Sequence, residues 1–180
     1  MLRFIVTAAA LAVAGPASAD VRASYQQDGR TLFSFDVPDF WTLDAGGERV
    51  LTPPDEDIAR QIPQIASIRP TIEPDVWMGF FSPRGVATLA EGEAYLKEIG
   101  QFLTNEPDII SSLPGRVAGL PAQIIKGTGR RDRRDLSFTV AVIDLPNARV
   151  AIVSAIVEAG ADQALVGQMN EIFASVRAGQ

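Results

Sequence analysis

The chain has 180 residues, with 16 basic against 22 acidic side chains, and it contains neither histidine nor cysteine. Those two absences exclude Ser-His-Asp and Cys-His catalysis, imidazole- or thiolate-held transition metals, thiol redox chemistry and disulfides together. A net charge of −6 opposes long-range attraction to nucleic acid or anionic membranes.

Residues 1–19 read as an export signal. Arg3 gives a short basic start, Phe4 to Ala14 is apolar except for Thr7, and Gly15-Pro16 breaks any helix. Ala17-Ser18-Ala19 then supplies the small-x-small pattern for cleavage after Ala19. An apolar run of 11 residues falls short of the roughly 20 that span a bilayer. The working chain is therefore expected to be one domain, residues 20–180, in the periplasm with no stable membrane insertion. Without Arg3 it carries 15 basic and 22 acidic groups. Lacking disulfides, it must stand on its apolar core.

Val21, Ala23 and Tyr25 alternate with polar residues, Asp28-Gly29 marks a hairpin turn, and Phe33, Phe35 and Val37 line one side of a second strand. Arg49–Thr52 reads as a short strand. Residues 53–75 hold five prolines and show no clear period. Asp75–Ser82 is a strand with Val76, Met78 and Phe80 on one face and Trp77 and Phe81 on the other. Thr88 and Glu91 form a capping box before a helix whose stripe is Leu89, Leu96, Ile99 and Leu103, stopped at Asn105-Glu106-Pro107. Asp108–Val117 is a broken strand. Ala122–Lys126 and Leu136–Ile143 pair around a loop at Gly127–Asp135. Val150–Val157 is apolar on both faces, as a central strand should be. Asp162 starts a last helix with the stripe Leu165, Met169, Ile172, Phe173 and Val176. Strands, helix, strands, helix predict an α+β fold, mainly an antiparallel β-sheet sandwiched between helices.

The run Tyr25, Asp28-Gly29, Leu32-Phe33-Ser34-Phe35, Val37-Pro38 and Trp41 resembles the opening of the PsbP/Mog1-like superfamily. Gly119-Leu120-Pro121-Ala122 is similar to its Gly-x-Pro-Ala turn, and Ser175-Val176-Arg177 to the close of its last helix. In order, the similarity covers most of the chain from Asp20 on. The resemblance implies an α/β/α arrangement and an extrinsic subunit, assembly factor or binding protein, and it brings no catalytic residue.

The chemistry left to the chain is narrow. Lys97 and Lys126 are the only lysines, and neither stands three residues after a serine, as an Ser/Lys dyad would need in order to activate its nucleophile. No phosphate loop, dinucleotide fingerprint or nucleophile elbow occurs, and Gly127-Thr128-Gly129 reads as a turn. Asp55, Glu56 and Asp57 cluster, which suits a solvated loop and, as a remote alternative, a pair of hydrolytic carboxylates or a calcium site. No catalytic residue, metal ligand or cofactor is expected.

Partner binding has better candidates. Arg130, Arg131, Arg133 and Arg134 put four guanidiniums around one turn, a clamp for carboxylates or phosphates on a partner; with Asp132 and Asp135 between them, the alternative is a solvated tip of internal ion pairs. Trp77 is a candidate contact, whereas Trp41 belongs to a core corner. Ile58, Ile62, Ile65 and Ile68 recur at helical spacing across the proline-rich segment, as cover for the sheet or as a groove or lid. The expected function is a non-enzymatic binding or accessory subunit of an envelope complex whose partner is another exported or envelope protein. The alternative is a carrier of a small apolar or anionic ligand in a pocket lined by Trp77, Phe81 and residues 53–75.

Overall fold

A computed structural model describes residues 20–47, 49–51, 60–73, 75–103, 105–131 and 134–179. The signal and its cleavage site at Ala19 lie outside them, as do Asp55, Glu56, Asp57, Ile58 and Arg133. No described helix is long and apolar enough to cross a membrane.

In chain order the elements are β1 Val21–Gln27, β2 Arg30–Val37, β3 Trp41–Ala45, β4 Arg49–Leu51, β5 Arg60–Ile62, β6 Ala66–Pro70, β7 Val76–Phe81, α1 Leu89–Leu103, β8 Asn105–Val117, β9 Leu120–Arg131, β10 Arg134–Leu145, β11 Arg149–Glu158, α2 Gln163–Ala174 and β12 Arg177–Ala178. Seven strands make the main sheet in the order β3-β6-β7-β11-β10-β9-β8, beside a small sheet β1-β2-β12 and the pair β4-β5. Every strand pairing among the described residues is antiparallel.

The predicted central strand is central. β11 is fourth of the seven, with Val150 to Ile156 buried throughout. The two helices take opposite faces. A Cβ on Gly92 of α1 would fall against Val142, whereas α2 shares a groove with Ala141. Neighbours along a strand point to opposite sides, so α1 lies on the Val142 face and α2 on the Ala141 face. The small sheet joins α2 there: Phe35 of β2 stacks on Phe80 of β7 with centroids 3.7 Å apart. One helix thus covers one face, and a helix plus a three-stranded sheet cover the other.

The local signals act as the residue chemistry requires. Asp28 and Gly29 both adopt positive φ, the backbone of a two-residue turn that matches strand twist. Thr88 Oγ1 accepts from the Glu91 N–H at 3.2 Å, and Glu91 Oε2 accepts from the N–H groups of Thr88 (3.1 Å) and Ala87 (2.8 Å), the reciprocal capping box. Those donors hold the Glu91 carboxyl below its ordinary range. Asp162 caps α2 through the Ala164 N–H at 2.8 Å. Trp41 is buried in the corner after Pro38, its indole N–H donating to Gln168 at 3.0 Å. Ser175 at the end of α2 accepts from the Asp36 N–H at 2.8 Å and donates to Ile172 O at 2.7 Å, which fastens the last helix to β2.

Two expectations need correction. Gly127–Asp135 is not a loop. β9 and β10 stay paired up to Arg131 opposite Arg134, and Gly127-Thr128-Gly129 is strand, with Gly127 opposite Phe138. Glycine is suitable there because a Cβ would collide with the Phe138 ring and the Asp108 carbonyl. Nor is residues 53–75 one unstructured connection: β5 and β6 lie within it. Ile62 pairs with Arg49, and Ile68 is a wholly buried sheet residue opposite Met78. Ile62 and Ile68 therefore belong to two separate short strands rather than to one helix face.

Candidate functional site

The arginine-rich hairpin end is less free than its sequence suggests. Arg134 donates to Asp75 at 2.9 Å and to Glu158 at 3.0 Å, and the paired acids, Glu158 foremost, raise its pKa further. Arg130 lies 3.3 Å from Asp135. Arg131 is half-buried at the end of β9. Exposed ion pairs of this kind stabilise little, but they occupy the forks that a partner's carboxylates would need. Arg134 thus serves the protein's own surface, tying β10 to β7 and β11.

Trp77 is half-buried, and its ring lies over Gly79 two residues along the same strand, filling the space a Cβ would take. Phe81 is buried, 6.3 Å from the ring of Tyr95 on α1. Burial pushes the Tyr95 hydroxyl up to about 12, with Glu98 adding to it, so it holds its proton at any physiological pH. Buried polar residues among the described ones are only Ser82, Ser154 and Ser175. No carboxylate is buried there, and no cluster of acids is placed to hold a metal.

What sequence reasoning missed is β8. This edge strand carries Ile109, Ile110 and Leu113 at 54%, 68% and 62% exposure. Its register against β9 shifts twice, between Asn105 and Asp108 and between Ile109 and Ser111, and each shift bends an edge. Val117 and Leu120 close a two-residue turn, so Val117 directs its backbone groups to β9. By alternation Ser112, Pro114 and Arg116 turn theirs to the free edge. Pro114 has no N–H to offer and sits where a strand tolerates it. Pro107 and Pro114 in a run containing four large apolar residues (Ile109, Ile110, Leu113, Val117) were the sequence signal of an edge. Arg130 lies beside the start of β8, opposite Asn105, so the basic hairpin end borders this strand.

Between α2 and the strands β8–β10 runs a groove of ≈ 380 Å³, lined by Ile124, Ala141, Ala155, Met169 and Phe173, with Lys126 and Thr139 on its wall.

An antiparallel sheet with a helix on each face defines an α+β class of domain. Within that class the fold is PsbP/Mog1-like. The chain is similar to the solution structure of cyanobacterial PsbP from Synechocystis, at 14% identity and a TM-score of 0.53, over 93% of this chain and 98% of that one. It is also similar to a crystal structure from Bacteroides thetaiotaomicron, at 11% identity and a TM-score of 0.51, over 83% of this chain. There it spans 46% of the other chain, about half its length. A looser likeness, with a TM-score of 0.47 and 14% identity, is to Mycobacterium tuberculosis LpqN, described as involved in cell envelope biogenesis, over 90% of this chain and 91% of that one. No protein-family model matches the sequence, and no curated protein matches it.

Proposed function

We propose that the protein is an exported, non-catalytic binding subunit of an envelope complex, and that it docks on another exported protein through the free edge of β8. The observation that carries this reading is the exposure of Ile109, Ile110 and Leu113 within five residues of one edge strand. Long apolar edges invite aggregation, and proteins normally blunt them with proline, charge or bulges. β8 has the proline and the bulges, which oppose open-ended strand addition, yet it keeps its apolar side chains. Side-chain docking of one partner accounts for that combination. Arg130 and Arg131 form the rim, where charge sets association rate and salt dependence more than affinity.

The non-catalytic half of the reading is supported by residue chemistry. The chain lacks imidazole and thiol, the described carboxylates are not buried, and the phenol of Tyr95 ionises far above neutral pH. General acid–base work needs a group whose pKa lies near the working pH.

Replacing Ile109, Ile110 and Leu113 together by Lys tests the docking edge. The expected outcome is an unchanged melting temperature within a few degrees and a shift of the protein in cell extracts from a larger assembly to the size of the free chain. A variant that remains in the same assembly contradicts the reading.

A further inference from the structure

Pairing register and helix length explain why the groove beside α2 exists. A helix of 12 residues is about 18 Å long, whereas seven strands spaced about 4.8 Å apart make a sheet roughly 29 Å wide. α2 lies over β7 and β11, and the small sheet packs on the β7 side through Phe35 and Phe80. Among the described residues, the same face of β8, β9 and β10 has no such cover. Ile124, Ala141 and Ala155 form its floor, and Met169 and Phe173 of α2 form one wall. Leu113, opposite Ile124 in the register, extends the apolar surface to the sheet edge.

The charge of this groove is the reverse of the whole molecule. The chain has a net charge of −6, yet among the described residues the lining includes Arg116 and Lys126 and no carboxylate. Lys126 stands directly opposite Thr139 on the groove face, and Thr139 in turn stands opposite the floor residue Ala155, so a cationic and a hydroxyl residue adjoin the apolar floor. Arg116 is held at the hairpin turn by its bond to Gly119 O at 2.7 Å, which leaves Lys126 as the cation beside the floor.

From this arrangement we propose that the groove is a binding site for a small single-chain amphiphile with an anionic head, such as a medium-chain carboxylate. The tail lies on Ile124, Ala141 and Met169, and the head meets Lys126 and Thr139. A cation and a hydroxyl offer charge-assisted hydrogen bonds to a carboxylate, and a neutral ligand would leave them unused. The volume of ≈ 380 Å³ stands near the lower end of ligand pockets, about 300–1,000 Å³, which suits one short chain. The groove meets the docking edge of β8 at Leu113, but the tail and head contacts proposed here, to Ile124, Ala141, Met169, Lys126 and Thr139, use none of the three docking side chains.

Calorimetric titration of the purified protein with decanoate, kept below its micelle concentration, tests the proposal. The expected result is saturable one-to-one binding that decanol matches only weakly. Lys126→Glu should weaken decanoate by about tenfold or more, the usual worth of a hydrogen bond to a charged group. Val166→Trp, which fills the groove from α2, should abolish binding while the melting temperature stays unchanged. Ile110→Lys should leave decanoate binding intact, which separates this site from the docking edge. Absence of decanoate binding, equal binding by Lys126→Glu, or equal affinity for decanol would each overturn the proposal. Sedimentation with phosphatidylglycerol vesicles without any response to free decanoate would overturn it too, by assigning the cations to a membrane surface.

Discussion

Ala118 holds a φ of 49° in the turn between β8 and β9, followed by Gly119 at 84°. An L-residue with a Cβ pays about 1 kcal/mol to stand in that left-handed region, and glycine does not. Ala118→Gly is therefore expected to raise stability by about 0.5–1 kcal/mol in urea unfolding, because the gain in the turn outweighs the added freedom of the unfolded chain. Glu91 supplies a pH test. Its folded pKa is depressed by the Ala87 and Thr88 donors. Its stabilisation is full above the unfolded value of about 4.3 and is lost as pH falls through the lower folded value. Glu91→Ala should lower the melting temperature at pH 7 and shrink its difference from the parent below about pH 4; a constant difference across that window contradicts the capping account. Arg134→Glu would place a third carboxylate beside Asp75 and Glu158, so it should lower the melting temperature more than Arg130→Glu does. Equal effects would mean that the Arg134 pairs are immaterial.

At the scale of elements, Gly92 shows two effects in competition. Alanine improves a helix interior by about 1 kcal/mol over glycine, but a Cβ here would collide with Val142 beneath α1. Overpacking costs about 1–3 kcal/mol, so Gly92→Ala should be net destabilising in denaturant titration. A gain in stability would show that α1 lifts off the sheet easily. This contact also shows what sequence can and cannot tell. The stripe of α1, its capping box and its stop at Asn105-Glu106-Pro107 depend on neighbours in sequence, and they were legible. The alternation of Phe33, Phe35 and Val37 revealed a half-buried strand, but its membership in a separate small sheet depends on the Phe35–Phe80 stack between residues 45 positions apart. Gly127 and Gly129 read as a turn from composition alone. The role of Gly127 in β9, leaving room for the Phe138 ring, exists only once the strands are paired.

Across the whole molecule, local period and turn chemistry made the fold class readable, and the functional surface was harder to see. Apolar residues are normally counted toward the core, and nothing local in the broken strand Asp108–Val117 distinguishes Ile109, Ile110 and Leu113 as exposed. Their exposure follows from strand order: α1 carries the chain from β7 across the sheet to its far edge, and the meander β8-β9-β10-β11 returns to β7. The first strand of that meander is left with one unpaired side. The arginines stood out in sequence by charge density, whereas the partners of Arg134, Asp75 and Glu158, lie distant along the chain and meet it only in space. The central claim is that β8 is where this protein meets another exported protein. The direct measurement places a photoreactive amino acid at Ile110 in living cells, with Asp144 and Glu171, both exposed and outside β8, as controls. The account predicts one discrete crosslinked protein from position 110, absent at both controls and lost when Ile109 and Leu113 are changed to Lys. Equal crosslinking at all three positions, or none at position 110, would contradict it.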